Sequence, residues 1–155
     1  ATLLADGSVF VNGGNSSGTN FDDTTSVFES EIWNPETGEW QVTAKAQKPR
    51  NYHAVSLLLP DGRVWTAGGG GCGSCSVNHF DAEIYSPPYL FRGDGSGLLA
   101  ERPLITEVPS TLAYAETFTL TSPQAETIQK VALVGLGSVT HAFNMNQRYV
   151  PLTVV

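Results

Sequence analysis

The chain has 155 residues, of which 41% are hydrophobic, and its formal net charge is −7 at neutral pH. This length and apolar content predict one globular domain or two small ones with a buried core, and they exclude a disordered chain. Because Arg and Lys are not clustered, we expect no nucleic-acid partner, and because no apolar run reaches about 18 residues, we expect no membrane span. Many glycines and prolines without long helical periodicity predict an all-β fold.

A unit of about fifty residues occurs twice at the start of the chain. Each copy has an Asp-Gly hairpin turn, a Gly-Gly pair after its second strand and an aromatic residue in its third strand. The matching segments are 3–9 and 58–64, then 13–14 and 68–69, then 31–35 and 83–87. This pattern is typical of kelch blades in a β-propeller. Since a propeller ring needs about four or more blades, we expect two blades at 1–92 that form an incomplete ring, with further blades upstream.

Short runs of alternating polarity that end at turn residues predict the strands of these units. They are 1–4, 9–12, 27–33 and 39–43 in the first unit, and 53–59, 63–67 and 82–85 in the second. The second unit has no hairpin after its third strand, because the chain runs into Ser-Pro-Pro-Tyr and then into a glycine-rich stretch. We therefore predict a linker at 93–102.

From residue 103 onward the Gly-Gly pairs disappear and short alternating strands follow one another. The predicted strands are 104–108, 116–120, 131–136, 139–143 and 149–155. Such a series predicts an immunoglobulin-like β-sandwich at 103–155. A sandwich of this type needs about 100 residues, so we expect this one to be truncated to its N-terminal part.

Three residues form a candidate metal site: Tyr52 and His53, adjacent before an apolar run, and His141, far downstream. Neutral imidazole and phenolate are donors that suit copper, iron or zinc, whereas calcium and magnesium prefer carboxylates and carbonyls. The residue types therefore indicate a transition metal. The residues alone leave a second interpretation open, in which each side chain only completes hydrogen bonds at the end of a strand.

A glycine-rich loop at 68–73 leads into the two cysteines, Cys72 and Cys75. The glycines satisfy the spacing of a dinucleotide-binding loop, but no helix follows, which favours a tight backbone turn instead. The cysteines fit a redox pair, half of a zinc site with His79 as the one close further ligand, or a local disulfide. We favour the disulfide, which indicates an oxidising compartment, and we predict structural hydrogen bonds for His79.

Three stretches together closely resemble the copper radical oxidase family, the group of galactose oxidase and glyoxal oxidase. They are 50–64 (RNYHAVSLLLPDGRV), 68–85 with its glycine loop and Asn-His-Phe-Asp, and 140–148 (THAFNMNQR). The resemblance covers nearly the whole chain. Its motifs recur in order across a kelch unit, a linker and a sandwich, which makes the match specific.

The resemblance implies one copper ion with Tyr52 as axial ligand and with His53 and His141 as equatorial ligands. It implies that Tyr52 accepts the substrate proton while a primary alcohol, aldehyde or carbohydrate is oxidised and O2 is reduced to hydrogen peroxide. Cys72 and Cys75 match the family's loop disulfide, and the family's cross-linked Tyr–Cys radical pair is expected outside this chain. The implied protein is secreted, and we expect this chain alone to be inactive.

The resemblance also requires a local geometry. Successive side chains of a strand face opposite sides, so Tyr52 and His53 cannot both face one metal from an extended backbone. We therefore predict that both precede their strand, at its entry near the ring axis. Two further hypotheses stay open: a non-catalytic kelch and sandwich module that binds carbohydrate or protein, and a structural segment that does not fold alone.

Overall fold

The computed structural model describes residues 1–74, 76–141 and 143–155, and these residues confirm the predicted all-β class. The strands are β1 (Thr2–Leu3), β2 (Val9–Val11), β3 (Ser30–Trp33), β4 (Trp40–Thr43), β5 (Ala54–Leu58), β6 (Val64–Gly68), β7 (Ala82–Tyr85), β8 (Val131–Gly135), β9 (Ser138–Thr140), β10 (Phe143–Met145) and β11 (Arg148–Leu152). Helix in the described residues is limited to 3₁₀ turns at Pro88–Leu90 and Ala125–Thr127. No helix there is long and apolar enough to cross a membrane.

The first repeat unit folds into an antiparallel sheet in the order β1-β2-β3-β4. Its first hairpin closes where Leu4 N–H donates to the Ser8 carbonyl over 2.8 Å, with Gly7 at a φ of 89°. That left-handed conformation is easily reached only by glycine, which explains the Asp-Gly pair. β3 begins later than predicted, because Val27 and Phe28 pair with the loops at Gly14 and Ala46 instead of joining the sheet.

The second repeat unit forms an antiparallel sheet in the order β5-β6-β7. Its first hairpin repeats the same turn: Leu59 N–H donates to the Arg63 carbonyl over 2.8 Å, and Gly62 has a φ of 82°. The described residues add no fourth strand to this sheet, as the sequence predicts. The two repeats thus share their local turn chemistry and differ at the outer edge.

The hydrophobic core lies between these two sheets. Its buried members are Leu4, Phe10, Leu58 and Val64. The rings of Phe10 and Tyr85 stack with centroids 4.4 Å apart, so each sheet contributes to one packed layer. Val134 of β8 packs against the same cluster and joins the last segment of the chain to it.

The last segment contains two separate antiparallel pairs, β8 with β11 and β9 with β10. The predicted strands 104–108 and 116–120 are not formed, and a single bridge between Glu107 and Thr121 takes their place. The predicted strand 139–143 is also wrong. His141 has a φ of 50°, which an extended strand cannot accommodate, so β9 ends before it and a hairpin turn follows.

Candidate metal centre

Tyr52 and His53 occupy a tight turn immediately before β5, as predicted. The turn closes where Ala54 N–H donates to the Asn51 carbonyl over 3.0 Å, and His53 has a φ of 68°. This left-handed residue breaks the alternation of an extended chain. The two rings therefore lie on the same side, with centroids 4.0 Å apart, and Tyr52 is 46% exposed.

The glycine-rich loop orients the His53 ring. His53 Nδ1 lies 2.6 Å from the Gly70 carbonyl oxygen. A carbonyl can only accept a hydrogen bond, so Nδ1 is the donor in this contact, and in the neutral tautomer that makes it Nε2 keeps its lone pair. A backbone carbonyl on one imidazole nitrogen is a common outer-shell partner of histidines that bind metals through the other nitrogen.

The same loop also buttresses the turn through its backbone. Gly70 N–H donates to the Tyr52 carbonyl over 2.8 Å. A side chain at Gly71 would place its Cβ 2.9 Å from His53 Nδ1, and one at Gly68 would lie 2.9 Å from the His53 carbonyl oxygen. The glycines therefore form a tight backbone turn, as predicted, and that turn is pressed against the candidate ligand.

Phe21 is a contact that the sequence interpretation missed. Its ring meets Tyr52 edge-on at a centroid distance of 5.3 Å and lies 6.0 Å from His53. Phe21 also has a positive φ, 59°, in the long loop between β2 and β3. Nothing in the local sequence separates this aromatic from an ordinary loop residue, because only the tertiary fold brings it to the pair.

His141 lies on the β9–β10 hairpin, exposed to solvent. The hairpin is tied to β5, because Asn144 Nδ2 donates to the Ser56 carbonyl over 3.2 Å. A cleft of about 230 Å³ is lined by His141 together with Asn51 and Ala54, the two ends of the turn that carries Tyr52 and His53. The fold thus brings the downstream histidine to the rim of the cleft beside that turn.

Tyr52, His53 and His141 offer two imidazoles and one phenol oxygen as candidate donors. Across the described ranges, no group of three or more His, Cys, Asp or Glu side chains could hold a metal. The candidate set of His53, His141 and Tyr52 differs from such groups, because its third donor is a phenol oxygen. Nitrogen and phenolate ligands suit copper better than magnesium or calcium.

Two further predictions concern residues outside the candidate ligand set, His79 and the cysteine pair. His79 makes the structural hydrogen bonds expected of it, from its N–H to the Gly69 carbonyl and from Nε2 to Asp23. The predicted Cys72–Cys75 disulfide depends on Cys75, which lies outside the described residues. That pairing stays a prediction.

Comparison with known proteins relates the chain to a family. Residues 102–155 match the model of the galactose oxidase-like early set domain. The chain is 44% identical over 158 aligned residues to a galactose oxidase of Gibberella zeae, an alignment that covers 99% of the chain and 22% of that protein. It is 34% identical over 122 residues to the aldehyde oxidase GLOX of Vitis pseudoreticulata, covering 68% of the chain and 21% of that protein.

Solved structures agree with the sequence comparison. A fungal alcohol oxidase of the AA5 family, solved in complex with copper, superposes with a TM-score of 0.84 at 34% sequence identity. The match covers 98% of this chain and 32% of that one. The fold is thus that of an all-β protein with an early set domain at 102–155. The chain belongs to the galactose oxidase-like copper radical oxidase family, and it spans 22% of the galactose oxidase it matches.

Proposed function

We propose that this chain supplies three copper ligands, Tyr52, His53 and His141, to an oxidase that converts a primary alcohol or an aldehyde and reduces O2 to hydrogen peroxide. The observation that carries the proposal is the hydrogen bond between His53 Nδ1 and the Gly70 carbonyl. It leaves Nε2 as the available donor of a ring whose centroid lies 4.0 Å from that of the Tyr52 ring. Family membership supports copper as the metal.

Tyr52 has the chemistry of a proton acceptor. Its side chain is partly exposed and lies against His53, so a substrate hydroxyl can approach Tyr52 without crossing the core. As phenolate, Tyr52 Oη would take the proton of the alcohol group. Bound copper would supply one-electron redox chemistry and Lewis acidity.

Other parts of the proposal concern the longer protein. The Tyr–Cys radical pair is expected outside this chain, and the two sheets of 1–92 are proposed to be kelch blades that further blades complete. We propose that Cys72 and Cys75 form a disulfide and that the protein is secreted, since disulfides persist in oxidising compartments. Proposed partners are a small alcohol, aldehyde or carbohydrate substrate and O2.

Copper titration followed by electron paramagnetic resonance on the full-length protein tests the ligand set. We expect one Cu(II) per molecule with nitrogen hyperfine structure from two imidazoles. His53→Ala and His141→Ala should each remove one nitrogen from the spectrum. If the wild type binds no copper, or if His141→Ala keeps both nitrogens, the proposal is overturned.

A second measurement isolates Tyr52. Tyr52→Phe should keep both nitrogen couplings, while the oxidase rate falls by about 10²- to 10⁴-fold, the usual contribution of a positioned base. Tyr114→Phe, at a fully exposed tyrosine, is the matched control and should leave the rate unchanged. A Tyr52→Phe protein with wild-type turnover would exclude Tyr52 as the proton acceptor.

A further inference from the structure

Asp23, Asn51 and His79 come from three different loops and meet beside the Tyr52–His53 turn. His79 Nε2 lies 2.9 Å from Asp23 Oδ2, and Asn51 Nδ2 donates to Asp23 Oδ1 over 2.5 Å. We propose that this Asp23–Asn51–His79 network positions the turn that carries two of the proposed copper ligands. The inference rests on the proposed function.

Asn51 is the link between the network and the turn. It is 8% exposed, and its amide is used on both sides: Nδ2 also donates to the Asp22 carbonyl over 3.0 Å, and Oδ1 accepts from Ser26 Oγ over 3.2 Å. Its backbone carbonyl closes the turn by accepting from Ala54 N–H. Holding the Asn51 side chain in place therefore also holds the first residue of the turn that contains Tyr52 and His53.

The loop of Asp23 is itself held in place. The Asp22 carboxylate accepts hydrogen bonds from the backbone N–H and the hydroxyl of Thr24, and these bonds lower its pKa. Phe21, two residues before Asp23, packs on the Tyr52 ring. Asp23 and the aromatic contact of Phe21 thus come from one loop segment.

His79 supports the other side of the turn. Its N–H donates to the Gly69 carbonyl over 3.0 Å, next to the Gly70 carbonyl that accepts from His53. A Cβ at Gly69 would lie 3.1 Å from His79 Cδ2 and 3.6 Å from Asn51 N, so the imidazole, the glycine backbone and the turn are in close contact. His79 therefore ties the glycine loop to Asp23, and Asp23 ties both to Asn51.

The proposed copper ligands are Tyr52, His53 and His141, so Asp23, Asn51 and His79 do not bind the metal. Their contacts with the turn give them a positioning role. Outer-shell partners that orient a metal-binding histidine typically change metal affinity by about 10- to 100-fold when removed. Replacing Asp23 by Ala would cut the bonds to both Asn51 and His79. Replacing His79 by Gln keeps a donor at the position of Nε2, whereas Ala removes it.

The test measures Cu(II) affinity and the electron paramagnetic resonance spectrum of the full-length protein with these substitutions. We expect Asp23→Ala and His79→Ala to weaken copper binding about 10- to 100-fold and to alter the nitrogen hyperfine pattern. His79→Gln should restore both readings to near wild-type values. Phe10→Leu, in the core away from the turn, controls for a general loss of stability.

The outcomes separate the two proposals. A wild-type protein that binds no copper overturns the proposed function before the variants are compared. If the wild type binds copper and Asp23→Ala keeps its affinity and spectrum, the positioning role is overturned while the ligand set stands. The same conclusion follows if Phe10→Leu changes the spectrum as much as His79→Ala, or if His79→Gln fails to restore it.

Discussion

The two turns that carry the candidate histidines share a backbone conformation and differ in their support. His53 and His141 both have positive φ values, 68° and 50°. The His53 ring is held by the Gly70 carbonyl at 2.6 Å, by the glycine loop and by the neighbouring Tyr52 ring. The His141 ring lies 3.4 Å from Thr140 Oγ1, its own neighbour in the chain, and its hairpin is tied to β5 through Asn144.

This difference shows where the rigidity of the candidate site originates. The His53 turn lies in the connection from β4 to β5, which joins the two sheets that contain the hydrophobic core, and hydrogen bonds from other loops reach it. The His141 hairpin belongs to the segment 102–155, in which no described residue is fully buried. The first turn is therefore preorganised, and the second depends on a few contacts to β5. Four predictions use this difference, beginning with the largest expected effect.

Arg50 supports the His53 turn through buried polar contacts, and replacing it should lower the stability of the fold. The side chain is 1% exposed, donates from Nη1 to the Gly68 carbonyl over 2.9 Å, and pairs with Asp81 and Glu83. Arg50→Met should lower the free energy of unfolding by about 3 kcal/mol, the low end for a broken buried pair because both acids are partly solvated. Lys45→Met, which breaks a solvent-exposed pair with Glu29, should lower the free energy of unfolding far less in the same denaturation experiment. Equal losses would contradict the anchoring role.

Gly71→Ala tests the contact between the glycine loop and His53. Its Cβ would lie 2.9 Å from His53 Nδ1, so we expect copper affinity to fall about 10- to 100-fold. Gly73→Ala is a matched control, because Gly73 has a similar φ, 69° against 74°, and open space at its Cβ position. Isothermal titration with Cu(II) compares the two. If both variants bind copper equally, the contact between the glycine loop and His53 does not influence copper binding.

Asn144→Ala tests the weaker support of the His141 hairpin. The substitution removes the hydrogen bond to the Ser56 carbonyl, a contribution of about 1 kcal/mol, so we expect a loss of copper affinity near fivefold. The nitrogen coupling of His53 should stay as in the wild type, since its own contacts are intact. A change in that coupling would show that the two turns are not independently supported.

Acid should weaken the Arg50–Asp81 ion pair that supports the His53 turn. Burial raises the pKa of Asp81, but its hydrogen bond and ion pair with Arg50 outweigh this effect and hold the pKa below the ordinary 3.8. A lowered pKa stabilises the fold above the unfolded value, and this stabilisation is lost as the pH falls through the folded value. The difference in Tm between wild type and Asp81→Asn should therefore be full above about pH 5 and shrink below about pH 4. A difference that does not change with pH would exclude the Asp81 pair as its source.

Much of the fold was predictable from local sequence patterns. The Asp-Gly hairpins at Gly7 and Gly62 form as predicted, because their left-handed residues favour glycine wherever the chain places them. The predicted strands 104–108 and 116–120 were wrong, because alternating polarity does not form a strand unless a partner strand pairs with it along its length. The turn at His141 was missed because its positive φ comes from the hairpin, not from the residue type.

Local sequence is enough to predict the candidate chemistry: the repeat of turns, the Tyr52–His53 pair and a distant second imidazole. Which imidazole nitrogen is available depends on the packed chain, because the Gly70 carbonyl that accepts from Nδ1 is 17 residues away in the chain. Packing of the chain also brings Phe21 to the Tyr52 ring and brings together Asp23, Asn51 and His79 from three loops. The physical reason is that covalent neighbours set backbone propensity, whereas the orientation of a ligand is set by contacts that exist only after the sheets have packed.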